Sequence, residues 1–345
     1  MTTCSPYSYE LPDDRIAQRP VHPPDLAKML VYSRKDRAIS HSTFSRIAEL
    51  LREGDHLVFN DTKVIPARLF GALEEATGYA VEVVLLSEVA RHEWVALGFP
   101  MRKIRSAFAV VFNDRLRAVV LPSDIEDRLR LRFESTDATP VEELLKELGT
   151  MPIPPYIRGG KGDEQDRVDY QSIFAEYPGS VAAPTASLHF THELVETLQA
   201  RAGCLVDRLT LHVGTASFQP IYVNGVLRPP GSERFHVPKN VWERLLETKA
   251  RKGRVIAIGT TVVRALESAA RSGALERMDE TQLFIEPGFR FAMVDALVTN
   301  FHQPRTTHLL LVEALLGPGA IDDCYRSALE NGYRFLSYGD GMLII

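Results

Sequence analysis

From about Leu69 to Phe133 the chain passes through short β-rich stretches that follow one another closely. The stretches are Ala80–Leu86, Glu93–Phe99, Phe108–Phe112, Arg117–Leu121 and Arg128–Phe133. Strands so closely spaced leave no room for the crossovers of a parallel sheet, which need a dozen or more residues. They fit a small barrel or sandwich instead. Pro140–Leu148 follows as a helix (Val141, Leu144, Leu145, Leu148). Met151-Pro-Ile-Pro-Pro-Tyr156 is then stiff and extended, a strap between domains, and residues 159–169 read as a Gly- and charge-rich loop.

On either side of this block the texture differs. Residues 43–52 read as a helix with Phe44, Ile47, Ala48 and Leu51 on one side, stopped by Gly54 and followed by a strand at His56–Asn60. After Ala182 the pattern alternates: helix 191–202, strand 205–213, helix 239–251, strand Arg254–Ile258, helix 262–271, strands 281–285 and 291–298, and helices near 306–316 and 320–331. Alternation of this kind argues an α/β domain. The predicted fold class is α/β. Its main domain comprises residues 1–66 and 151–345, and a small β-barrel domain is inserted at 67–150.

A length of 345 residues accommodates two such domains. No apolar run approaches the roughly 20 residues of a membrane span, so no membrane partner is expected. Met1 to Pro12 lacks a basic region followed by an apolar one, which predicts a cytoplasmic protein. Cys4, Cys204 and Cys324 lie far apart and indicate neither a disulfide framework nor a cysteine zinc site. The net charge of −5 argues against an indiscriminate nucleic-acid coat. Local basic sets remain. Arg102, Lys103 and Arg105 cluster, and Arg128, Arg130 and Arg132 would line one strand face, either solvated or tracking phosphates.

Candidate chemistry concentrates where predicted strands end. Pro-Thr-Ala-Ser-Leu-His-Phe-Thr at 184–191 packs Thr185, Ser187 and His189 ahead of a helix that Thr191 can cap. Val-Ile-Ala-Ile-Gly-Thr-Thr-Val-Val-Arg at 255–264 brings a buried-looking strand to Gly259, and Thr260 and Thr261 open a helix there. Such a turn suits a carboxylate or phosphate, although it is neither a GxGxxG fingerprint nor a Walker loop. Arg264, Glu267 and Arg271 share a polar face at i, i+3 and i+7 and read as an exposed ion-pair row. A strand carrying Thr210 and His212 on one face ends at Gly214, leading into Thr-Ala-Ser. Asp295, Asn300 and His302 punctuate a third strand, Asn60 and Asp61 close a fourth ahead of Arg68, and Tyr338 and Asp340 stand near the C-terminus. The histidine pairs do not match metal-ligand spacing, so no metal is expected.

Taken in order, these segments resemble the S-adenosylmethionine:tRNA ribosyltransferase-isomerase family of queuosine biosynthesis. The resemblance rests on Phe59-Asn-Asp-Thr-Lys-Val-Ile-Pro-Ala-Arg68, Met151–Tyr156, Ala182–Thr191, Leu211-His-Val-Gly214, Ile258-Gly-Thr-Thr261 with Arg264, Asp295–His302, and Tyr333 to Ile344. It implies a β-barrel inserted in an α/β domain. It also implies that the ribosyl part of S-adenosylmethionine is moved to the 7-aminomethyl-7-deazaguanine of a tRNA anticodon, giving epoxyqueuosine and releasing adenine and methionine. The implied partners are the tRNA anticodon stem-loop and S-adenosylmethionine as co-substrate, and a monomer is expected.

In this reading His189, His212 and Asp295 are the catalytic candidates. Thr185, Ser187, Gly214, Gly259, Thr260, Thr261, Arg264 and Asn300 bind S-adenosylmethionine. Asn60, Asp61, Arg68, His302, Tyr338 and Asp340 bind the acceptor. The chain departs from the family pattern at Ser187, where Gly is usual, at Ala216–Ser217, at Val262, at Pro24, and in the stretch before Glu233. Two alternatives stay open: a paralogue using S-adenosylmethionine on a non-tRNA acceptor, and a non-catalytic RNA-binding protein.

Overall fold

The computed structural model describes residues 9–76, 78–125, 127–214, 231–273 and 275–345, together with the backbone of 222–223 and 226–227. The chain divides into two compact units. One comprises residues 1–63, 171–177 and 183–345; the other comprises 64–170 and 178–182.

The first unit is built on a nine-stranded sheet. Its order is Asp279–Thr281, Glu233–His236, Leu205–Leu211, His56–Asn60, Val255–Ile258, Ala296–Asn300, Gly341–Ile344, Lys28–Ser33, Ala38–Thr43. The four strands from Leu205–Leu211 to Ala296–Asn300 run parallel, and those flanking this group run antiparallel to it. The central strands are buried on both faces and so read as unbroken apolar runs. One face packs Leu57, Phe59, Ile256, Ile258, Ala296 and Val298 against Phe44, Phe190, Leu194 and Leu198. Helix Thr260–Ser272 packs on the sheet with Val262, Val263, Leu266 and Ala269 buried, and ends at left-handed Gly273.

The second unit contains a closed, six-stranded antiparallel barrel: Leu129–Ser135, Glu93–Phe99, Ala80–Ala90, Arg68–Leu73, Ala109–Val111 and Leu116–Leu121. Its interior takes Leu69, Val83, Leu85, Ala118, Leu129, Leu131 and Phe133. So narrow a barrel needs small residues as well. A Cβ at Gly98 would stand 2.5 Å from Leu129 Cδ1, and Ala96 faces the same space. Helix Val141–Leu148 adds Val141, Leu144 and Leu145 to this core. Arg130 and Arg132 alternate with the buried residues and point outward, where Arg130 meets Glu93 at 2.8 Å and Arg132 meets Glu134 at 3.6 Å. They form a solvated, charge-neutralised strand face.

The α/β fold with an inserted barrel is as predicted, with local corrections. Residues 151–170, expected with the α/β part, belong to the barrel unit. Thr150 pairs with Arg68, the Arg68 guanidinium donates to the Gly160 carbonyl, and Arg167 donates to the Gly149 carbonyl at 2.9 Å. The helix expected at 43–52 is a 3-10 helix, Phe44–Glu49, whose buried residues Phe44 and Ile47 are three apart. The strand expected at 281–285 ends at Thr281, because the Thr281 and Leu283 carbonyls accept from Arg264. The strand expected at 291–298 begins at Ala296, because Glu267 takes the backbone N–H groups of Ala292, Met293 and Val294. Lys28–Ser33, Ala38–Thr43, Glu233–His236 and Gly341–Ile344 are strands that the periodicity did not announce. No described helix is long and apolar enough to cross a membrane.

Candidate functional site

In open α/β sheets, ligands bind beyond the carboxyl ends of parallel strands. Here four such ends lie side by side, at Leu211, Asn60, Ile258 and Asn300. The antiparallel strand Gly341–Ile344 starts at the same edge, with Gly341 opposite Asn300. Most of the residues expected to bind ligands therefore converge.

Asn300 is the hub of one cluster. Its Oδ1 accepts from Thr185 Oγ1 at 2.8 Å, and its Nδ2 lies 3.3 Å from both His189 Nε2 and the Leu336 carbonyl. His189 stacks on Phe44 with centroids 4.0 Å apart and is only 5 % exposed. Burial pushes its imidazole down to about 3, the Arg334 charge adds to this, and a hydrogen bond with the Pro24 backbone opposes it. Ser187 Oγ, on the same 3-10 turn Thr185–His189, is buried with no hydrogen-bond partner.

Asn60 laces the neighbouring strand ends. Its Nδ2 donates to the Leu211 carbonyl (2.9 Å) and to Thr261 Oγ1 (3.3 Å), and its Oδ1 accepts from the N–H groups of Leu211 (3.0 Å) and Thr62 (3.1 Å). Asp61 accepts from Thr210 Oγ1 at 2.6 Å. Burial raises its carboxyl to about 6, against the opposing Thr210 hydrogen bond. His212 Nδ1 is 2.9 Å from Thr62 Oγ1, and burial beside Arg234 lowers its imidazole to about 4. Gly214 N–H donates to Glu233 Oε1 at 3.2 Å, while Glu233 Oε2 pairs with Arg264.

The turn into helix Thr260–Ser272 supplies open donors. Gly259 has φ of 99°, a left-handed conformation that favours glycine. Gly259 at the N-cap has no side chain to cap this helix, so the N–H groups of its first turn face outward without a local acceptor. Together with the orphaned Ser187 hydroxyl and the Asn and Thr side chains, this turn fits a small zwitterion bearing a carboxylate and ribose hydroxyls.

Other candidates stand elsewhere or are structurally committed. Asp295 lies at the amino end of strand Ala296–Asn300. There its carboxylate accepts from Lys249 Nζ (2.6 Å) and the Val255 N–H (2.8 Å). Five residues of strand put it roughly 15 Å from Asn300, at the opposite edge of the sheet. His302 Nε2 meets Thr299 Oγ1 at 2.8 Å and its ring stacks on His308 at 4.9 Å. Asp340 is buried and accepts the backbone N–H groups of Lys28 (2.9 Å) and Arg334 (2.7 Å). Tyr338 is buried. Arg68 belongs to the barrel unit and meets Glu82 at 3.1 Å.

The expected ion-pair row is also corrected. Arg264 and Glu267 are buried, and only Arg271 reaches the surface. The Thr215–Phe218 part of the loop after Gly214, and most of the stretch before Glu233, lie outside the described residues. Among the described residues no three His, Cys, Asp or Glu side chains converge as metal ligands. Periodicity missed Glu233 and Arg334, whose partners lie far away in the chain.

The buried imidazoles predict how stability responds to acid. His189, His212, His302 and His308 are all harder to protonate folded than unfolded. The unfolded chain therefore binds more protons once pH falls below the ordinary histidine value of 6.5. Their contribution is complete above that pH and is lost as pH falls through about 4 and then about 3. Asp61, held near 6, and Asp340, also raised by burial, act oppositely, but two carboxyls are outweighed by four histidines. The urea midpoint should fall steadily from pH 6.5 to 4, and less steeply in His189→Leu. A midpoint flat over that range would contradict this reading.

The fold and this edge define a class: an α/β enzyme with an inserted barrel and a ligand site built from hydroxyls, amides and neutral imidazoles. The comparisons narrow it. The family model described as "Queuosine biosynthesis protein" matches residues 4–344. The S-adenosylmethionine:tRNA ribosyltransferase-isomerase of Thermotoga maritima is 42 % identical over 343 residues, covering 99 % of each chain. The one from Symbiobacterium thermophilum is 44 % identical over 347 residues, also covering 99 % of each. A crystal structure of S-adenosylmethionine tRNA ribosyltransferase from Thermotoga maritima superposes with a TM-score of 0.56 at 36 % identity, covering 98 % of this chain and 99 % of that one. The chain belongs to the queuosine biosynthesis protein family.

Proposed function

We propose that this protein transfers and isomerises the ribosyl part of S-adenosylmethionine onto the 7-aminomethyl-7-deazaguanine of a tRNA anticodon, forming epoxyqueuosine and releasing adenine and methionine. The observation that carries it is the convergence of Asn60, Thr261, Thr185, Asn300 and His189 on one sheet edge, in a chain that matches this family along its whole length.

The chemistry suits such an edge. The sulfonium acidifies the adjacent C5′–H, a base removes that proton, and adenine leaves the rearranging sugar with the electron pair of its glycosidic bond. The acceptor amine then bonds to the sugar and gives up a proton. Attack of a sugar oxygen on the carbon bearing sulfur closes the epoxide, the sulfur leaving with the bonding pair as methionine. In this reading the uncapped turn at Gly259–Thr261, with Ser187, holds the amino-acid tail. Thr185 and Asn300 hold ribose or base. Gly214 and Arg264 frame the site from the neighbouring strand through Glu233.

A proton acceptor works best with a pKa near the operating pH. Asp61, near 6, matches this better than His212 or His189. His189 acts as a neutral hydrogen-bonding group. Asp295 is not carried forward as a catalytic group, since its carboxylate is committed at the far edge. The protein works as a cytoplasmic monomer and needs no metal. Free, buried Cys204 and Cys324 suit a reducing compartment.

The test is incubation with S-adenosylmethionine and tRNA bearing the aminomethyl-deazaguanine, followed by nucleoside mass spectrometry. Epoxyqueuosine is the expected product. Its absence from folded protein that binds S-adenosylmethionine would overturn the proposal, and adenine release without tRNA would favour a different acceptor.

A further inference from the structure

Beside the candidate site, at the same sheet edge, three cations gather around one glycine turn. Lys28 begins strand Lys28–Ser33, and its neighbour Met29 pairs with Gly341, which in turn pairs with Asn300. Two strand spacings, about 10 Å, therefore separate Lys28 from the Asn300 cluster. Lys28 Nζ donates to the carbonyls of Asn331 (2.9 Å) and Gly332 (3.2 Å). Arg15 is laid alongside by backbone pairing, with Phe335 N–H donating to the Arg15 carbonyl at 2.8 Å and Ile16 bridging Phe335. A Cβ at Gly332, whose φ is +67°, would lie 3.3 Å from Arg15 Nη1 and 3.7 Å from Lys28 Nζ. The two cations thus flank a single point.

Arg334 follows two residues later. Its Nη1 donates to the Arg19 carbonyl at 3.1 Å, and its Nη2 is buried without a hydrogen-bond partner, so Arg334 adds positive charge behind the surface. Among the described residues neither Arg15 nor Lys28 forms a direct side-chain ion pair, although the Lys28 charge acts on Asp340. The carboxylate nearest Arg334 is Asp340, 3.9 Å from Nη2, and its oxygens already serve two backbone N–H groups. Three positive charges thus face one committed negative charge. Other arginines stand singly or face a carboxylate of their own, as Arg130 faces Glu93 and Arg244 faces Asp207. Three positive charges set against one negative charge leave an excess that is unfavourable, and an anionic partner offsets it.

We propose that Arg15 and Lys28, with the Arg334 charge behind them, form a phosphate-binding surface for the RNA strand that presents its base to the site at Asn300. The inference rests on the preceding reading that the acceptor is a tRNA, and it assigns the surface that positions it. Arg15 and Lys28 converge on one point about 10 Å from the Asn300 cluster. That arrangement suits a single phosphate of a strand whose neighbouring base reaches the site. Phosphate contacts of this kind fix register while the base is splayed into a neighbouring pocket.

The experiment measures binding of fluorescently labelled tRNA by the full-length protein across a salt series, with S-adenosylmethionine binding measured calorimetrically alongside. The exchange Arg15→Gln/Lys28→Gln should weaken tRNA binding by about tenfold or more and flatten the plot of log affinity against log salt by about one per charge removed. S-adenosylmethionine affinity should be unchanged, and Arg15→Lys should restore the slope lost in Arg15→Gln. Unaltered affinity and slope in the double variant would overturn the surface while leaving the tRNA reading intact. So would weaker binding with an unaltered slope, which indicates distortion. If the parent protein binds S-adenosylmethionine but no tRNA, the acceptor reading falls and this inference falls with it.

Discussion

A His189→Leu enzyme is expected to fold and bind S-adenosylmethionine, yet turn over about 10²-fold more slowly or worse. The structure dictates the choice of leucine. His189 is sealed between the Phe44 ring and Asn300, so alanine would open a cavity and confuse activity with stability. Leucine keeps the site filled with apolar volume, gives up the ring stacked on Phe44 and removes the ring nitrogens. Asn300 would keep its Thr185 and Leu336 partners, so the stability cost should be about 1 kcal/mol.

What disappears is a neutral acceptor at Nε2. The hydrogen bond with the Pro24 backbone occupies the other ring nitrogen as a donor, which leaves the Nε2 lone pair toward Asn300 Nδ2. That bond fixes which way the amide presents itself to a ligand. Turnover should therefore collapse while the urea midpoint moves little. Turnover within threefold of the parent in a well-folded His189→Leu protein would remove His189 from the machinery.

Glu267→Ala should cost about 3–5 kcal/mol of stability, a large share of what a domain possesses. Glu267 is fully buried on helix Thr260–Ser272. Its carboxylate accepts the N–H groups of Ala292, Met293 and Val294 at 2.9–3.2 Å and pairs with Arg271 at 2.9 Å. Alanine would leave three backbone donors near the sheet without acceptors, each worth about 1–3 kcal/mol. The segment 292–294 leads directly into strand Ala296–Asn300, so its loosening should also reduce S-adenosylmethionine binding. Chemical denaturation of parent and variant measures the difference. A loss below about 1 kcal/mol would mean that water satisfies those donors.

These two residues show what could and could not be read from the chain. His189 stood out because hydroxyls and an imidazole crowd ahead of a helix start, a local pattern. Glu267 looked like an ordinary surface acid at i+3 from Arg264, because helical spacing reports which residues share a face and not what lies against that face. The barrel was legible because Leu129, Leu131 and Phe133 alternate with arginines in a period of two. Helix Thr260–Ser272 was legible through its buried Val, Leu and Ala positions. Strand Gly341–Ile344 was not, because four apolar residues after a glycine carry no period long enough to register.

The candidate site divides in the same way. The sequence by itself determined the two architectures, the strand ends at Asn60 and Gly259, and the family, since these depend on residue type and local spacing. Only the tertiary structure decided which of the polar loops meet. Parallel pairing in register brings Asn60 to Thr261 and Thr185 to Asn300, whereas Asp295, five residues before Asn300, is carried to the opposite edge. It also decided that Arg15, Lys28 and Arg334 converge and that burial keeps His189 neutral. Side-chain meetings across hundreds of residues, and the desolvation that sets a pKa, are properties of the packed chain.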